Sequence, residues 1–395
     1  MTHEFVFLVL TCAISGCLSQ CSQNNVYKDI LEKKTLNFTQ IARQVGLAVE
    51  EYDVTTQDAY ILKLFHIPGD RTRPVLLMHG IIDSADTFIL RGNTSLAAAL
   101  SRAGYDVWVG NTRGNRYSRR HVYLNPDDDV EFWDFSFHEQ GFYDLPATID
   151  FILDQTGAAA LSAVGHSQGN TIFLVLGATK PEYNEKIKVI IALSPICFLN
   201  NLKNAPSLIV SSMSFVDQIF KITGQEEFLG DDTLAGRLFR AVCGCKKSYG
   251  FCAHGIFFAI AGSDPEEMES DFLPTVVAHY PTGTSKKNAV HVSQIGLKKK
   301  FSTYDYEWRN MDIYNSTTPP EYDLSKVTMR VALLAGRNDQ ISTLKDVELL
   351  KNKLPNVVEY KVINHKKFNH MDAVWGRNMY KYLFPEILKV LVMFS

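Results

Sequence analysis

The sequence predicts an α/β fold, with a mostly parallel central sheet, helices on both faces and a largely helical cap insertion. Two patterns carry that expectation. Aliphatic runs at 75–78, 105–109, 161–164, 189–193, 330–335 and 357–362 alternate with helix-like segments, as they do where a parallel sheet is covered on both faces. The alternation stops between residues 197 and 323. There, amphipathic text such as Phe215-Val216-Asp217-Gln218-Ile219-Phe220 reads as helices inserted between two core strands. The expected organisation is a leader at 1–19, a core in two parts at 20–196 and 324–395, and a cap at 197–323.

The elements follow in chain order. Residues 5–17 (FVFLVLTCAISGC) are almost wholly apolar. The run is too short for a bilayer span, which needs about 20 residues, and has the length of a signal-peptide core followed by small residues. Later segments fall short of a spanning length, so no integral membrane segment is expected in the mature chain. Sequons at Asn37, Asn93 and Asn315 fit an export route to the extracellular space or the lysosome. From Glu50, a polar–apolar alternation broken at Gln57-Asp58 reads as two strands around a turn. The run at 75–78 ends in His79-Gly80-Ile81, and the run at 161–164 ends in Gly165-His166-Ser167-Gln168-Gly169, followed by the helical text Asn170-Thr171-Ile172-Phe173.

That last motif brings chemistry. A Gly-x-Ser-x-Gly between a strand and a helix is the setting of a nucleophile elbow, and with it the α/β pattern becomes an α/β-hydrolase fold. Ser167 is the expected nucleophile. The small residues at 165 and 169 leave room for a sharp turn, and the Gln168 N–H lies at a helix N-terminus where it can meet an oxyanion. The second oxyanion donor is expected from the loop after an early strand, at the backbone N–H of Ile81. The His79 side chain is read as a local packing or hydrogen-bonding group. A serine hydroxyl needs a base and an orienting acid, which follow it in that order of acid then histidine in this fold. Asp339 stands after the strand ending Leu334-Ala335, and His370 after the strand at 357–362. His365 and Asp372 are the competing base and acid.

Composition excludes other classes. Lys plus Arg is 40, Asp plus Glu is 43, and the net charge is −3, so a nucleic-acid partner is not expected. The basic runs Arg119-Arg120 and Lys298-Lys299-Lys300 read as solvated surface. Seven cysteines are present. Cys12 and Cys17 leave with the leader, while Cys243, Cys245 and Cys252 lie close enough for one short-loop disulfide in an oxidising compartment. A zinc site would need a second ligand pair, which His254 alone does not supply. The ester chemistry requires no cofactor.

The chain resembles the acid lipases, the family of gastric and lysosomal acid lipases and their insect relatives. The resemblance spans roughly 37–389. It is strongest in the strings Asn111-Thr112-Arg113-Gly114-Asn115, Val130-Glu131-Phe132-Trp133-Asp134-Phe135-Ser136-Phe137 and Tyr143-Asp144-Leu145-Pro146, with a second block at His279-Tyr280-Pro281-Thr282-Gly283-Thr284-Ser285. It implies a helical cap with a movable lid and the triad Ser167, Asp339 and His370, with Gln168 and Ile81 as oxyanion donors. It also implies a disulfide between Cys243 and Cys252, leaving Cys245 free. The substrate it implies is a lipid ester at a lipid–water interface, a triacylglycerol or a sterol ester. The chain departs from the family at Gly46-Leu47-Ala48 and at Asp58-Ala59, where the hairpin turn usually has Asp-Gly. The lid is expected within 234–261, carried by Leu238, Phe239, Phe251, Ile256, Phe257, Phe258 and Ile260, and the enzyme is expected to be a monomer. The alternatives on the same fold are a narrower carboxylesterase, an acyltransferase and a non-catalytic lipid-binding protein.

Overall fold

A computed structural model describes residues 36–394 apart from 245. The expected leader, with Cys12, Cys17 and Cys21, and the expected free Cys245 lie outside the described residues. The strands are β1 (Glu50–Thr55), β2 (Ile61–Ile67), β3 (Asp70–Met78), β4 (Tyr105–Val109), β5 (Leu161–His166), β6 (Ile187–Leu193), the short β7 (Glu227–Phe228) and β8 (Thr284–Ser285), β9 (Val331–Ala335) and β10 (Val357–Val362). Eight of them form one sheet in the order β1-β2-β4-β3-β5-β6-β9-β10. β1 and β2 are antiparallel additions, while β4, β3, β5, β6, β9 and β10 run parallel.

Side chains alternate across the strands, which divides the core in two. Val75, Leu77, Val107 and Val109 join one apolar cluster, with Phe38, Phe88 and Trp375. Leu76, Met78 and Trp108 join the other, with Phe135, Phe173 and Leu333. The strings that resemble the acid lipases brace this second side. Arg113 is 1 % exposed, pairs with Asp58 at 2.6 Å and Asp144 at 2.7 Å, and lies 3.9 Å over the Tyr60 ring. Gly114 has φ +80°, and a Cβ there would come within 2.4 Å of the Phe135 ring.

The stretch between β6 and β9 is helical. It contains α1 (Asn204–Thr223), α2 (Leu234–Cys243), a π-helical turn at Gly250–Phe257 running into Phe258–Ala261, α3 (Leu273–His279) and α4 (Lys286–Lys298). β7 and β8 pair within it. Cys243 and Cys252 are disulfide-bonded across a separation of nine residues, and Cys197 is a buried free thiol. No helix of the described residues is long and apolar enough to cross a membrane.

The segment expected as a lid is divided. Leu234 and Leu238 on α2 are exposed, but Phe257 and Phe258 are 3 % and 4 % exposed and belong to the core. Large apolar side chains also face solvent on α1: Leu208, Phe215 and Ile222 are 69, 64 and 85 % exposed. The 234–261 text is apolar because the π-helical turn packs around the disulfide and against Trp375, with ring centroids 6.0 Å apart for Phe257 and Trp375.

Candidate active site

The site lies where ligand sites of open α/β sheets gather, at the carboxyl ends of parallel strands. β5 delivers Ser167, β3 delivers Gly80 and Ile81, β9 is followed by Asp339 and β10 by His370. Ser167 has φ +55° and ψ −122°, a strained conformation for an L-residue. The surroundings account for the small residues of the motif. A Cβ on Gly165 would meet Asn170 Oδ1 at 2.4 Å, and one on Gly169 would meet the Met78 carbonyl oxygen at 2.4 Å. The Ser167 N–H donates to the Leu193 carbonyl at 3.1 Å, which ties the turn to β6.

Ser167 Oγ lies 2.9 Å from His370 Nε2. His370 Nδ1 lies 2.9 Å from Asp339 Oδ2 and 3.2 Å from Oδ1. The Asp339 Oδ1 in turn accepts from the N–H groups of Ile341 and Ser342, at 2.9 and 2.7 Å. All three side chains are buried. The competitors are engaged elsewhere. His365 Nε2 pairs with Asp264, and Asp372 accepts the Asn369 N–H at 2.9 Å. Burial holds the Asp372 carboxyl well above the usual carboxylate range.

Gln168 is the first residue of the helix Gln168–Thr179, so its N–H belongs to the turn that has no intrahelical acceptor. Its side chain is held by Gln140 and Asn288, at 3.1 and 2.9 Å. A Cβ on Gly80 would press on Ser167 Cβ at 3.1 Å, so the Gly80–Ile81 backbone packs closely against the serine. His79 is local in its bonding. Its Nε2 accepts the Thr112 N–H at 3.1 Å and its Nδ1 donates to the Gly80 carbonyl at 2.8 Å. Burial lowers its pKa to about 4.

Two features were not anticipated from the sequence. His166 Nε2 donates to the His370 carbonyl at 3.0 Å, and burial keeps its imidazole neutral, with a pKa lowered to about 3. The second is a strap at residues 261–264. The Ala261 carbonyl accepts from both the Gln340 and His370 N–H groups at 3.3 Å. Asn369 Nδ2 donates to the Gly262 carbonyl and Asn338 Nδ2 to the Ser263 carbonyl, each at 2.9 Å. Asp264 adds its pair with His365. Histidine inside the elbow motif was a visible signal for the first; nothing in the sequence marked the second.

The site opens into a cavity of about 380 Å³. Its walls are mostly hydrocarbon, from Leu199, Val210, Met213, Phe239, Ile260 and Trp375 among others. Such a wall is suited to an apolar ligand.

The family model described as the alpha/beta hydrolase fold matches residues 73–374, and the partial alpha/beta-hydrolase lipase region matches residues 38–92. The chain is 37 % identical over 367 residues to Lipase 1 of Drosophila melanogaster, covering 92 % of this chain and 81 % of that one. It is 36 % identical over 370 residues to the gastric triacylglycerol lipase of Homo sapiens, covering 90 % and 91 %.

This chain belongs to the acid lipase family.

As an acid lipase it is a carboxylic ester hydrolase of the α/β-hydrolase superfamily. Its fold is also that of a solved Sulfolobus solfataricus protein described as a candidate lipase. That structure has a TM-score of 0.57 at 13 % identity and covers 88 % of this chain and 94 % of its own. For this acid lipase, then, the family covers both the sheet and the inserted helices, since the two matches together run across both.

Proposed function

We propose that this acid lipase hydrolyses esters of neutral lipids, triacylglycerols or sterol esters, through an acyl-enzyme on Ser167. The observation that carries the reading is the alignment of Ser167, His370 and Asp339 at the mouth of an apolar cavity. In the acylation step Ser167 Oγ attacks the ester carbonyl carbon while His370 Nε2 takes the hydroxyl proton. Asp339 holds the imidazole in the tautomer with Nδ1–H and stabilises the imidazolium. The N–H groups of Gln168 and Ile81 meet the oxyanion as the carbonyl oxygen gains charge. His370 then protonates the departing alcohol, and a water molecule, activated by the same histidine, releases the fatty acid.

The cap at 197–323 shelters the cavity, and the core at 20–196 and 324–395 supplies the triad. Lipid ester substrate reaches the site from a lipid–water interface. Export to the extracellular space or the lysosome is supported by the Cys243–Cys252 disulfide and by the exposure of Asn37, Asn93 and Asn315.

Ser167→Ala tests the reading. The variant is expected to fold and to lose at least about a thousandfold in kcat on trioctanoin, with only binding and oxyanion stabilisation left. Near-normal turnover by that variant would refute the nucleophile.

A further inference from the structure

The apolar cavity has one polar corner that the proposed triad does not use. Among the polar side chains lining it, His166 is bonded to the His370 carbonyl. The Ser293 hydroxyl donates to the Val210 carbonyl at 2.7 Å. Apart from Ser167 and His370, that leaves the Asp83 carboxyl, the Tyr280 hydroxyl and the indole N–H of Trp375, whose ring packs edge-on to the Tyr280 ring at 5.1 Å.

Asp83 and Tyr280 stand on segments that are bonded together. The Thr282 N–H donates to the Ile82 carbonyl at 2.9 Å, joining the 280–283 loop to the loop that carries Ile81. Ile82 has φ +51°. A β-branched residue in that region is strained, and such strain persists where the surroundings over-determine a functional geometry. Asp83 is 4 % exposed, and its Oδ1 accepts the Ser84 N–H at 2.8 Å. Burial pushes its pKa up to about 8. The nearby Asp86 acts in the same direction, while the Ser84 N–H, the Thr87 hydroxyl and Arg116 oppose it. Burial likewise raises the Tyr280 phenol, with Asp83 adding to the effect.

A protonated carboxyl and a phenol both donate and accept hydrogen bonds, and neither carries charge. In an apolar wall they favour a ligand that supplies a matching donor and acceptor. An acyl chain has neither. The ester carbonyl oxygen only accepts, and it is directed to the oxyanion donors. An alcohol hydroxyl has both.

We infer that Asp83 and Tyr280 form a hydroxyl-recognition subsite beside Ser167, which holds a free hydroxyl on the alcohol moiety of a partial acylglycerol. The inference rests on the lipase reading above. It makes mono- and diacylglycerols, the partial products of triacylglycerol hydrolysis, better substrates than simple alkyl esters of the same fatty acid.

The test compares monoolein with methyl oleate, presented to the full-length enzyme in the same mixed micelles. The wild type is expected to show the higher kcat/KM on monoolein. In Asp83→Leu and in Tyr280→Phe the ratio of the two kcat/KM values is expected to fall on the order of tenfold, the worth of one hydrogen bond. Asp83→Asn keeps a donor and an acceptor and is expected to hold the ratio within about twofold of wild type. A wild-type ratio near one, or an unchanged ratio in Asp83→Leu and Tyr280→Phe, would overturn the subsite. Should Asp83→Leu fail to fold, the ratio in Tyr280→Phe decides between the same two outcomes. A wild-type enzyme inert to both esters would overturn the lipase reading itself, a result separate from any change in ratio.

Discussion

Ala59 holds a backbone conformation that its side chain opposes. It has φ +71° in the turn between β1 and β2, with its N–H on the Thr56 carbonyl at 2.9 Å. An L-residue there carries a penalty of roughly 1–2 kcal/mol that glycine escapes, partly offset by glycine's greater freedom in the unfolded chain. Ala59→Gly is therefore expected to stabilise the fold by about 1 kcal/mol, measured by urea denaturation at unchanged m. A neutral or destabilising result would mean that the turn is held by Arg113 and Asp58 rather than limited by its backbone. The same residue scale shows what sequence could foretell. Ser167, Asp339 and His370 were legible because each follows a recognisable strand in a fixed order, and the structure brings the three within hydrogen-bond distance. Asp83 was not legible. An aspartate in a loop after a strand reads as a turn former, and only the fold turns it toward an apolar cavity.

The element with most to say about substrate access is α1. Pro206, Val210 and Met213 on one side of it line the cavity, while Leu208, Phe215 and Ile222 face solvent. A helix apolar on both sides is suited to stand between two apolar phases, which under the proposed function are an acyl chain below and a lipid surface above. Burial of such side chains in lipid gains about 25 cal/mol per Å². Phe215→Asp with Ile222→Asp is expected to lower hydrolysis of emulsified long-chain triacylglycerol at least about tenfold, from the lost transfer energy and the added charge. Hydrolysis of dissolved p-nitrophenyl butyrate should change less than about twofold. Equal losses on both substrates would remove α1 from interfacial binding. Hydropathy pointed to 234–261 because it counts apolar residues without knowing what covers them. Phe257 and Phe258 are equally apolar but serve the core. The alternating strands were legible for the converse reason: a parallel sheet buries both faces, so run and burial coincide.

For the molecule as a whole, buried titratable groups set opposing responses to acid. Burial lowers His79, His166 and His291 from 6.5 to about 4, 3 and 3. As pH falls below 6.5 the unfolded chain takes up protons that these rings refuse, so each withdraws stability down to its folded pKa. Asp83 and Asp144 act the other way. Burial raises them from 3.8 to about 8 and about 6, so the stability they contribute is full below 3.8 and lost as pH rises through those values. Between pH 6 and 4 the two groups of residues partly cancel. Replacing one histidine should expose this. His291, stacked on Phe137 at 3.8 Å and donating to the Ser302 carbonyl, can be changed to Gln, which does not titrate. The Tm of His291→Gln, relative to wild type, should be several degrees more favourable at pH 4.5 than at pH 7.5, about what a few kcal/mol implies. An offset that is the same at both pH values would show that the ring takes up its proton in the fold as readily as in the unfolded chain. The strap at 261–264 has a consequence at this scale as well. Because one carbonyl, that of Ala261, is shared by the loops carrying Asp339 and His370, the cap is not a detachable module. A chimaera that takes its cap from another lipase must keep residues 261–264 with the recipient core, or import both loops with the graft. A junction placed inside the strap would part the loops that carry Asp339 and His370 even if both side chains were retained.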